Sequence, residues 1–184
     1  MIFQRLLGAF LFGVIPIVLI FIQDISFAEI GITLKAKMPI LLWILVLSAV
    51  CFVINFFESK KESHLEIYPQ IRTPHPWNNG LIFVSSLTLV LYTLGYEIMF
   101  RGYLFFTCER ELGVVLAIVI NTAIYALVHL PKGWKETVGS FPMGIILCWL
   151  TYQSGNIWIA VLVHIALALS SEWFSIREQM KRAV

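Results

Sequence analysis

Charge is scarce in this sequence, and cysteine is rarer still. Asp, Glu, Lys and Arg make up 13% of the 184 residues, about half their share in a soluble globular domain. The net charge is only +2 and no basic run is present, so nucleic-acid binding is not indicated. The three cysteines, Cys51, Cys108 and Cys148, are odd in number and each lies in an apolar segment. No disulfide framework is therefore implied.

Apolar residues dominate instead. Hydrophobic residues account for 59% of the chain, and the mean hydropathy is +0.86. A bilayer core of about 30 Å requires about 20 apolar residues in each helix that crosses it. We therefore predict an all-α, polytopic membrane helix bundle with about six transmembrane helices. The predicted spans are Leu6–Ile22, Pro39–Phe57, Leu81–Phe106, Leu112–Leu130, Val138–Tyr152 and Ile157–Trp173.

The first and fifth predicted spans need separate treatment. Arg5 before an apolar run and the small residues of Ser26-Phe27-Ala28 would suit a cleaved signal. The run is longer than a signal core of roughly 7–15 residues, so we predict a retained helix. The fifth span is short and contains two glycines and Pro142, which predicts a tilted, kinked or partly re-entrant segment.

Lys and Arg are distributed unevenly between the predicted loops. With six spans, nine of them fall on one side of the membrane and three on the other. The nine are Arg5, Lys60, Lys61, Arg72, Lys132, Lys135, Arg177, Lys181 and Arg182, and the three are Lys35, Lys37 and Arg110. Because positively charged loops stay in the cytoplasm, we predict that both termini are cytoplasmic. We expect an integral protein of the bacterial cytoplasmic (inner) membrane.

Three of the predicted helices carry polar side chains at helical spacing. The three sets are Glu97 with Arg101, then Asn121 with Tyr125 and His129, and finally His164 with Ser171 and Glu172. An ionisable side chain at membrane depth costs about 2.5–3.5 kcal/mol, and such groups usually face the interior of a bundle. We therefore predict that the helices with Glu97, His129 and His164 converge on one polar cavity. Residues four apart share a helix face, so Arg101 is predicted to pair with Glu97.

A carboxylate and two histidines are suited to the activation of water. One group takes a proton from water, and another donates a hydrogen bond to the developing oxyanion. Zinc is the alternative, but there is no His-Glu-x-x-His helix and no cysteine pair near a histidine. No cofactor is expected. Each group also has a purely structural interpretation: Glu97 and Arg101 as an ion pair that fixes helix packing, His129 as an interfacial residue, and His164 as the donor to a carbonyl.

The polar residues occur in three segments that resemble the motifs of a known family. The segments are Glu97-Ile98-Met99-Phe100-Arg101-Gly102-Tyr103-Leu104, Tyr125-Ala126-Leu127-Val128-His129-Leu130-Pro131, and Ser154-Gly155-Asn156-Ile157-Trp158 leading to His164. In order and spacing they resemble the CPBP family, which comprises CAAX prenyl proteases of the Ras-converting type and bacteriocin-processing relatives, also called Abi proteins. The resemblance covers about residues 81–173.

The resemblance implies a role for each matching residue. Its first motif is Glu-Glu-x-x-x-Arg, its second Phe-x-x-x-His and its third His-x-x-x-Asn. Arg101 matches the arginine, Glu97 the second glutamate, Tyr125 the phenylalanine, and His129 and His164 the two histidines. By this resemblance Glu97 and His129 would act as base and orient water, His164 would stabilise the oxyanion, and Arg101 would keep Glu97 ionised.

Two positions depart from the family motifs. Tyr96 stands where the water-activating glutamate is expected, and Ala168 where the asparagine is expected. Neighbouring helical residues point about 100° apart, so Glu97 replaces its neighbour only if the helix is rotated or locally unwound. The sequence equally allows a variant set of catalytic residues, or an inactive relative. Glu172, two turns after His164, is a candidate to orient that imidazole or to act as acid or base.

The resemblance implies an intramembrane endopeptidase that acts on a membrane-associated peptide or protein in the lipid bilayer. A non-catalytic relative that binds a partner, as in bacteriocin self-immunity, is the second hypothesis. A transporter or channel fragment is the third, although no inverted repeat is evident. We divide the chain into residues 1–80 (two transmembrane helices and a polar loop), 81–176 (the family-like catalytic helix core) and 177–184 (a basic tail). The loop Glu58–Asn79, with Pro74 and Pro76, is the predicted hinge.

Overall fold

The predicted all-α class is confirmed. A computed structural model of the chain describes residues 1–73 and 76–182, and these residues form helices and loops without a strand. The helices are α1 (Ile2–Ile22), α2 (Ile40–Glu58), α3 (Glu62–Leu65), α4 (Asn79–Glu97), α5 (Phe105–Leu112), α6 (Val114–His129), α7 (Trp134–Ser154) and α8 (Trp158–Arg182). A π-helix, Ile98–Leu104, joins α4 to α5, and a 3₁₀ turn, Leu130–Lys132, follows α6. Pro74, part of the predicted hinge, lies outside the described residues.

Five helical segments of the described chain are long and apolar enough to cross a membrane. They are Ile2–Ile22, Ile40–Glu58, Asn79–Leu112, Val114–Lys132 and Trp158–Arg182. The outer faces of these helices carry large exposed hydrophobic side chains, such as Leu41 and Phe83, each 67% exposed. Such faces suit lipid, which is apolar and offers no hydrogen bonds. The protein is therefore a polytopic integral membrane protein.

Helix α7 corresponds to the fifth predicted span and is longer than the sequence suggested. It is one continuous helix of 21 residues with Pro142 inside it, or about 31 Å at 1.5 Å per residue. It is less apolar than the five segments above, because small and polar residues such as Thr137, Ser140 and Gln153 are spread along it. It packs against α6 on one side and α8 on the other. Its length and packing match a sixth crossing of the bundle.

The loops at the two ends of the bundle make separate sets of contacts. At one end, the turn after α7 bonds to the loop between α1 and α2: the side-chain amide of Asn156 donates to the carbonyl of Thr33 at 2.6 Å. At the other end, the Nζ of Lys135 donates to the Ser63 hydroxyl at 2.9 Å. Helix α7 thus extends from one set of loops to the other.

Both chain ends lie at the end of the bundle that contains α3. Arg5 of α1 pairs with Glu172 near the end of α8, and Arg182 pairs with Glu62 of α3. The predicted division into three domains remains a prediction. The arrangement shows no break at residue 177, because α8 continues to Arg182, and the N-terminal helices pack on the rest, α1 along α4 and α2 along α8.

A glycine allows the close packing of α1 on α4. A Cβ atom added to Gly95 would lie 2.8 Å from the carbonyl oxygen of Ala9. That distance is shorter than real Cβ contacts, so only glycine permits this approach. The close contact fixes the end of α4, where Glu97 lies two residues further on.

Candidate active site

The helix changes its winding directly after Glu97. Residues Ile98–Leu104 form a π-helix, a wider form that is rare and often occurs at functional sites. The side-chain amide of Asn121 on α6 donates to the carbonyl of Phe100 in this segment at 2.5 Å. The thiol of Cys148 on α7 donates in turn to the Asn121 Oδ1 at 3.2 Å. Contacts from α6 and α7 thus hold the local unwinding that follows Glu97.

The Glu97 carboxylate binds two basic side chains in the interior of the bundle. Its Oε1 lies 3.2 Å from the Nη1 of Arg101 and 2.5 Å from the Nδ1 of His164. Glu97 and Arg101 are fully buried, whereas the side chain of His164 is 12% exposed. The predicted Glu97–Arg101 pair is present, and His164 on α8 joins it.

The second oxygen of the carboxylate is left unpaired within the described part of the chain. Glu97 Oε2 is buried and accepts no hydrogen bond there. A buried unpaired acceptor costs about 1–3 kcal/mol, and such groups are few in folded proteins. The unpaired oxygen therefore leaves Glu97 an acceptor that neither Arg101 nor His164 uses.

Tyr125 connects the buried ion pair to the second histidine. The guanidinium of Arg101 lies 4.2 Å from the centre of the Tyr125 ring, a distance typical of a cation–π contact. The same ring lies 4.6 Å from that of His129 and 6.1 Å from that of His164, centre to centre. The two histidines thus border one aromatic side chain.

The hydrogen bond of His129 fixes its tautomer. Its Nδ1 lies 2.8 Å from the backbone carbonyl of Tyr125. A carbonyl oxygen only accepts hydrogen bonds, so Nδ1 carries the proton. In the neutral imidazole the Nε2 of His129 is then an acceptor with a free lone pair.

A cavity of about 400 Å³ brings these residues together. Its wall includes Tyr125 and His129 from α6, and His164, Ala168 and Glu172 from α8. Glu97 lies behind His164 and is not part of the wall. His129 and His164 thus share one cavity, whereas Glu97 is connected to it only through its contact with His164.

The two departures from the family motifs have different surroundings. Tyr96 is 2% exposed and stacks on Phe100, with ring centres 4.2 Å apart. Its ring also meets that of His164 edge-on at 5.7 Å. Tyr96 is therefore an aromatic packing residue that contacts the site. Ala168 lies in the cavity wall, where its small side chain leaves space one turn after His164.

The expectation that Glu172 orients His164 is wrong. The Nδ1 of His164 is bound to Glu97. Glu172 instead pairs with Arg5 at 2.6 Å and accepts the backbone N–H of Gln70 at 3.0 Å. Two helical turns separate Glu172 from His164, about 12 Å along the axis, and a carboxylate does not cover that distance. Glu172 shares the cavity wall but binds the N-terminal helix and the loop.

Sequence reasoning missed the residues that the loop between α2 and α4 contributes to the cavity. His64 and Tyr68 come from this loop, Lys132 comes from the turn after α6, and Lys135 and Glu136 come from the first turn of α7. They lie in a loop or at the end of a helix, so no spacing in the sequence relates them to His164.

His64 and Tyr68 are buried despite their position in a loop. Burial lowers the pKa of His64 below its usual value, because the charged imidazolium loses hydration. Burial likewise raises the pKa of Tyr68, with the Glu136 carboxylate adding to the effect. Both side chains are therefore uncharged at neutral pH.

The possibility of a metal site can be compared with the side-chain clusters of residues 1–73 and 76–182. Within these ranges no group of three or more His, Cys, Asp or Glu side chains is arranged to hold a metal ion. Zinc therefore remains only the alternative that the residue types allowed.

Comparison with known proteins gives one match. No curated protein and no solved structure matches the chain. The family model of the type II CAAX prenyl endopeptidases, described as Rce1-like, matches residues 76–170, more than half of the chain. The match contains Glu97, Arg101, His129 and His164, and it agrees with the resemblance based on the three motifs. The chain therefore belongs to the Rce1-like family of type II CAAX prenyl endopeptidases.

Proposed function

We propose that this protein is an intramembrane endopeptidase that cleaves a membrane-associated peptide or protein by direct attack of water. The observation that carries the proposal is the 2.5 Å contact between Glu97 Oε1 and His164 Nδ1 beside a cavity that also contains His129. The buried carboxylate pairs with Arg101, and this structural role does not require its second contact, with His164. The proposed substrate is a protein with a C-terminal CAAX sequence, and the description of the matching family supports this choice.

His129 is the proposed general base. Because its Nδ1 donates to the Tyr125 carbonyl, its Nε2 has the lone pair that accepts a proton from water. The water oxygen then bonds to the carbonyl carbon of the substrate. The proton held on His129 Nε2 passes to the leaving nitrogen as the C–N bond breaks.

His164 is the proposed donor to the oxyanion. With Glu97 bound at Nδ1, a protonated His164 directs its Nε2–H towards the cavity, where it donates a hydrogen bond to the oxygen of the tetrahedral intermediate. Glu97 is then a positioning residue that acts through His164. Glu97 is not proposed to contact the water directly, because it lies behind His164.

Arg101 balances the charge of the group. Arg101, Glu97 and protonated His164 together carry a charge of about +1, and the oxyanion that forms in the cavity brings the sum to zero. Without Arg101 the buried Glu97 carboxylate would lose its permanently charged partner, and the anchor of His164 would weaken.

A non-catalytic binding role is the second candidate, and two positions favour it. Tyr96 is buried on Phe100 where the family has its first glutamate, and Ala168 provides no hydrogen-bond donor where the family has an asparagine. Retention of the Glu97–His164 contact favours catalysis, since a binding protein gains nothing from a buried ion pair that costs insertion energy.

The test is a cleavage assay with purified protein reconstituted in liposomes. The probe is a fluorogenic peptide that ends in Cys-aliphatic-aliphatic-X, supplied both farnesylated and unmodified. We expect cleavage that survives treatment with a zinc chelator, because the proposed base and donor are imidazoles. Binding of the peptides without cleavage would favour the second candidate, and loss of cleavage on chelation would favour a metalloprotease.

A further inference from the structure

The outer part of the cavity contains a histidine without an assigned role. His64 belongs to the four-residue helix α3 in the loop between α2 and α4, outside residues 76–170 that match the family. It is 8% exposed and lies in the wall of the same cavity as His129 and His164. A polar ring buried at that point is not required by the proposed reaction.

Two contacts hold the His64 ring in place. Its Nε2 lies 3.2 Å from the hydroxyl of Ser171 on α8, and its ring stacks on Tyr68 at 4.9 Å. Its Nδ1 makes no hydrogen bond to a side chain or backbone group that the structure describes. In either tautomer this nitrogen is available to a ligand, as a donor or as an acceptor.

The charges around His64 leave the ring neutral. Glu136 and Glu58 lie near enough to favour the imidazolium, and Lys61 opposes it. Burial outweighs these charges and lowers the pKa of His64. A neutral imidazole suits an uncharged partner, such as a peptide N–H or carbonyl group.

The separation of His64 and His164 along α8 matches the length of a few residues of extended peptide. Ser171, the anchor of His64, is seven residues after His164 on α8, about 10 Å along the helix at 1.5 Å per residue. An extended chain covers about 3.3–3.6 Å per residue, so about three residues fit between the two histidines. Ala168 lies between them in the cavity wall, and its methyl group leaves that path open.

We propose that His64 is a substrate-binding residue, which contacts a main-chain amide of an extended peptide about three residues from the cleaved bond. This rests on the endopeptidase function proposed above. The cavity then binds its substrate as a strand between α8 and the loop, and α3 sets how many residues of the peptide are held.

The experiment compares peptides of different length within one protein preparation. The probe is the farnesylated fluorogenic Cys-aliphatic-aliphatic-X peptide, full length and shortened one residue at a time from each end. In the wild type, kcat/KM should fall about three- to tenfold, the effect of one hydrogen bond, when the third residue on one side of the cleaved bond is removed. His64→Ala should raise KM for the full-length peptide by a similar factor, leave kcat nearly unchanged and abolish that length dependence.

Two further variants separate binding from folding. His64→Gln keeps a donor and an acceptor and should restore part of the length dependence. Glu66→Ala changes an exposed side chain of the same loop and should behave as the wild type. The ratio of kcat/KM between long and short peptides does not depend on the folded fraction, so partial misfolding of His64→Ala does not affect it.

The outcomes against the proposal are distinct. An unchanged length ratio in His64→Ala, or a loss of kcat that is equal for all peptides, overturns the role of His64 alone. A wild-type protein that cleaves none of the peptides overturns the endopeptidase function and, with it, this inference.

Discussion

The Glu97 carboxylate is the residue on which the other charges of the site depend. It accepts from both Arg101 and His164 through one oxygen, so its charge holds a cation on its own helix and an imidazole on α8. Removing one partner of a buried pair leaves an uncompensated charge, which costs about 3–5 kcal/mol. The residues of this group should therefore affect stability and activity together.

Arg101→Ala should lower the thermal stability of the protein in detergent by several degrees or more, because Glu97 loses its buried partner. Lys61→Ala is the matched control, since Lys61 pairs with Glu58 and the two side chains are 57% and 39% exposed. An exposed pair contributes about 0–1 kcal/mol. Equal melting temperatures for the two variants would show that the buried pair is not a stabilising contact.

His129→Gln should lower kcat at least about a hundredfold, the usual effect of losing a general base. Glutamine retains a side-chain donor to the Tyr125 carbonyl but has no lone pair of comparable basicity. Steady-state cleavage of the fluorogenic peptide measures the change. A kcat within a few-fold of the wild type would assign the proton transfer to another group.

At the scale of elements, the long helices could be predicted and their local irregularities could not. Apolar runs of about 20 residues determine the crossings, and α1, α2 and α6 follow them closely. The third predicted span is divided among α4, the π-helix and α5, and α8 continues beyond its predicted end to Arg182. The spacing of Glu97, His129 and His164 also predicted which helix faces meet. The π-helix depends on the Asn121–Phe100 contact between segments 21 residues apart, and helical periodicity carries no information about it.

Helical periodicity also carries no information about the partner of Glu172 or about the loop residues that line the cavity. The spacing correctly places Glu172 on the face of α8 that carries His164, and the wall of the cavity contains both. Its partner, Arg5, is 167 residues away, and only tertiary packing reveals it. His64 reaches the cavity through α3, an element of four residues that leaves no periodic pattern.

Asn121→Leu should destabilise the π-helix and reduce cleavage. The substitution removes the donor to the Phe100 carbonyl, and an unsatisfied buried group costs about 1–3 kcal/mol. Cys148→Ala, which removes only the weaker thiol donor to Asn121, is the comparison and should have a smaller effect. Thermal melting and cleavage of both variants measure this; an unchanged Asn121→Leu protein would contradict a role for the amide in the winding of the helix.

Because the imidazole of His64 on α3 is buried, we expect the stability of the protein to depend on pH. Burial lowers the pKa of His64 in the folded state, so below the unfolded value of about 6.5 the unfolded chain binds a proton that the folded chain does not. Stability should therefore be lost as the pH falls below that value. His64→Gln should lose less stability than the wild type between about pH 7 and pH 5.5, measured by thermal unfolding. Equal losses of stability in the variant and the wild type would show that the pKa of His64 is the same in the folded and unfolded states.

At the scale of the whole molecule, the contacts place both chain ends at one end of the bundle. This requires an even number of crossings, so α7 must cross the membrane with the five more apolar segments. Glu66→Cys and Lys35→Cys, both exposed positions in loops at opposite ends, test this with a membrane-impermeant thiol reagent, after replacement of the partly buried Cys108. Glu66→Cys should react from the cytoplasmic side and Lys35→Cys from the other. Reaction of both from one side would contradict the six-crossing arrangement.

The proposed catalytic role of Glu97 rests on its negative charge. Glu97→Gln is the direct measurement, because glutamine keeps the shape of the side chain and removes the negative charge that contacts the Nδ1 of His164. The liposome assay with the farnesylated peptide should show a fall in kcat of at least about a hundredfold for the folded, peptide-binding fraction of the variant, beyond the loss of thermal stability that an unpaired Arg101 causes. Full proteolytic activity of purified Glu97→Gln protein would contradict the account and leave Glu97 as a structural partner of Arg101.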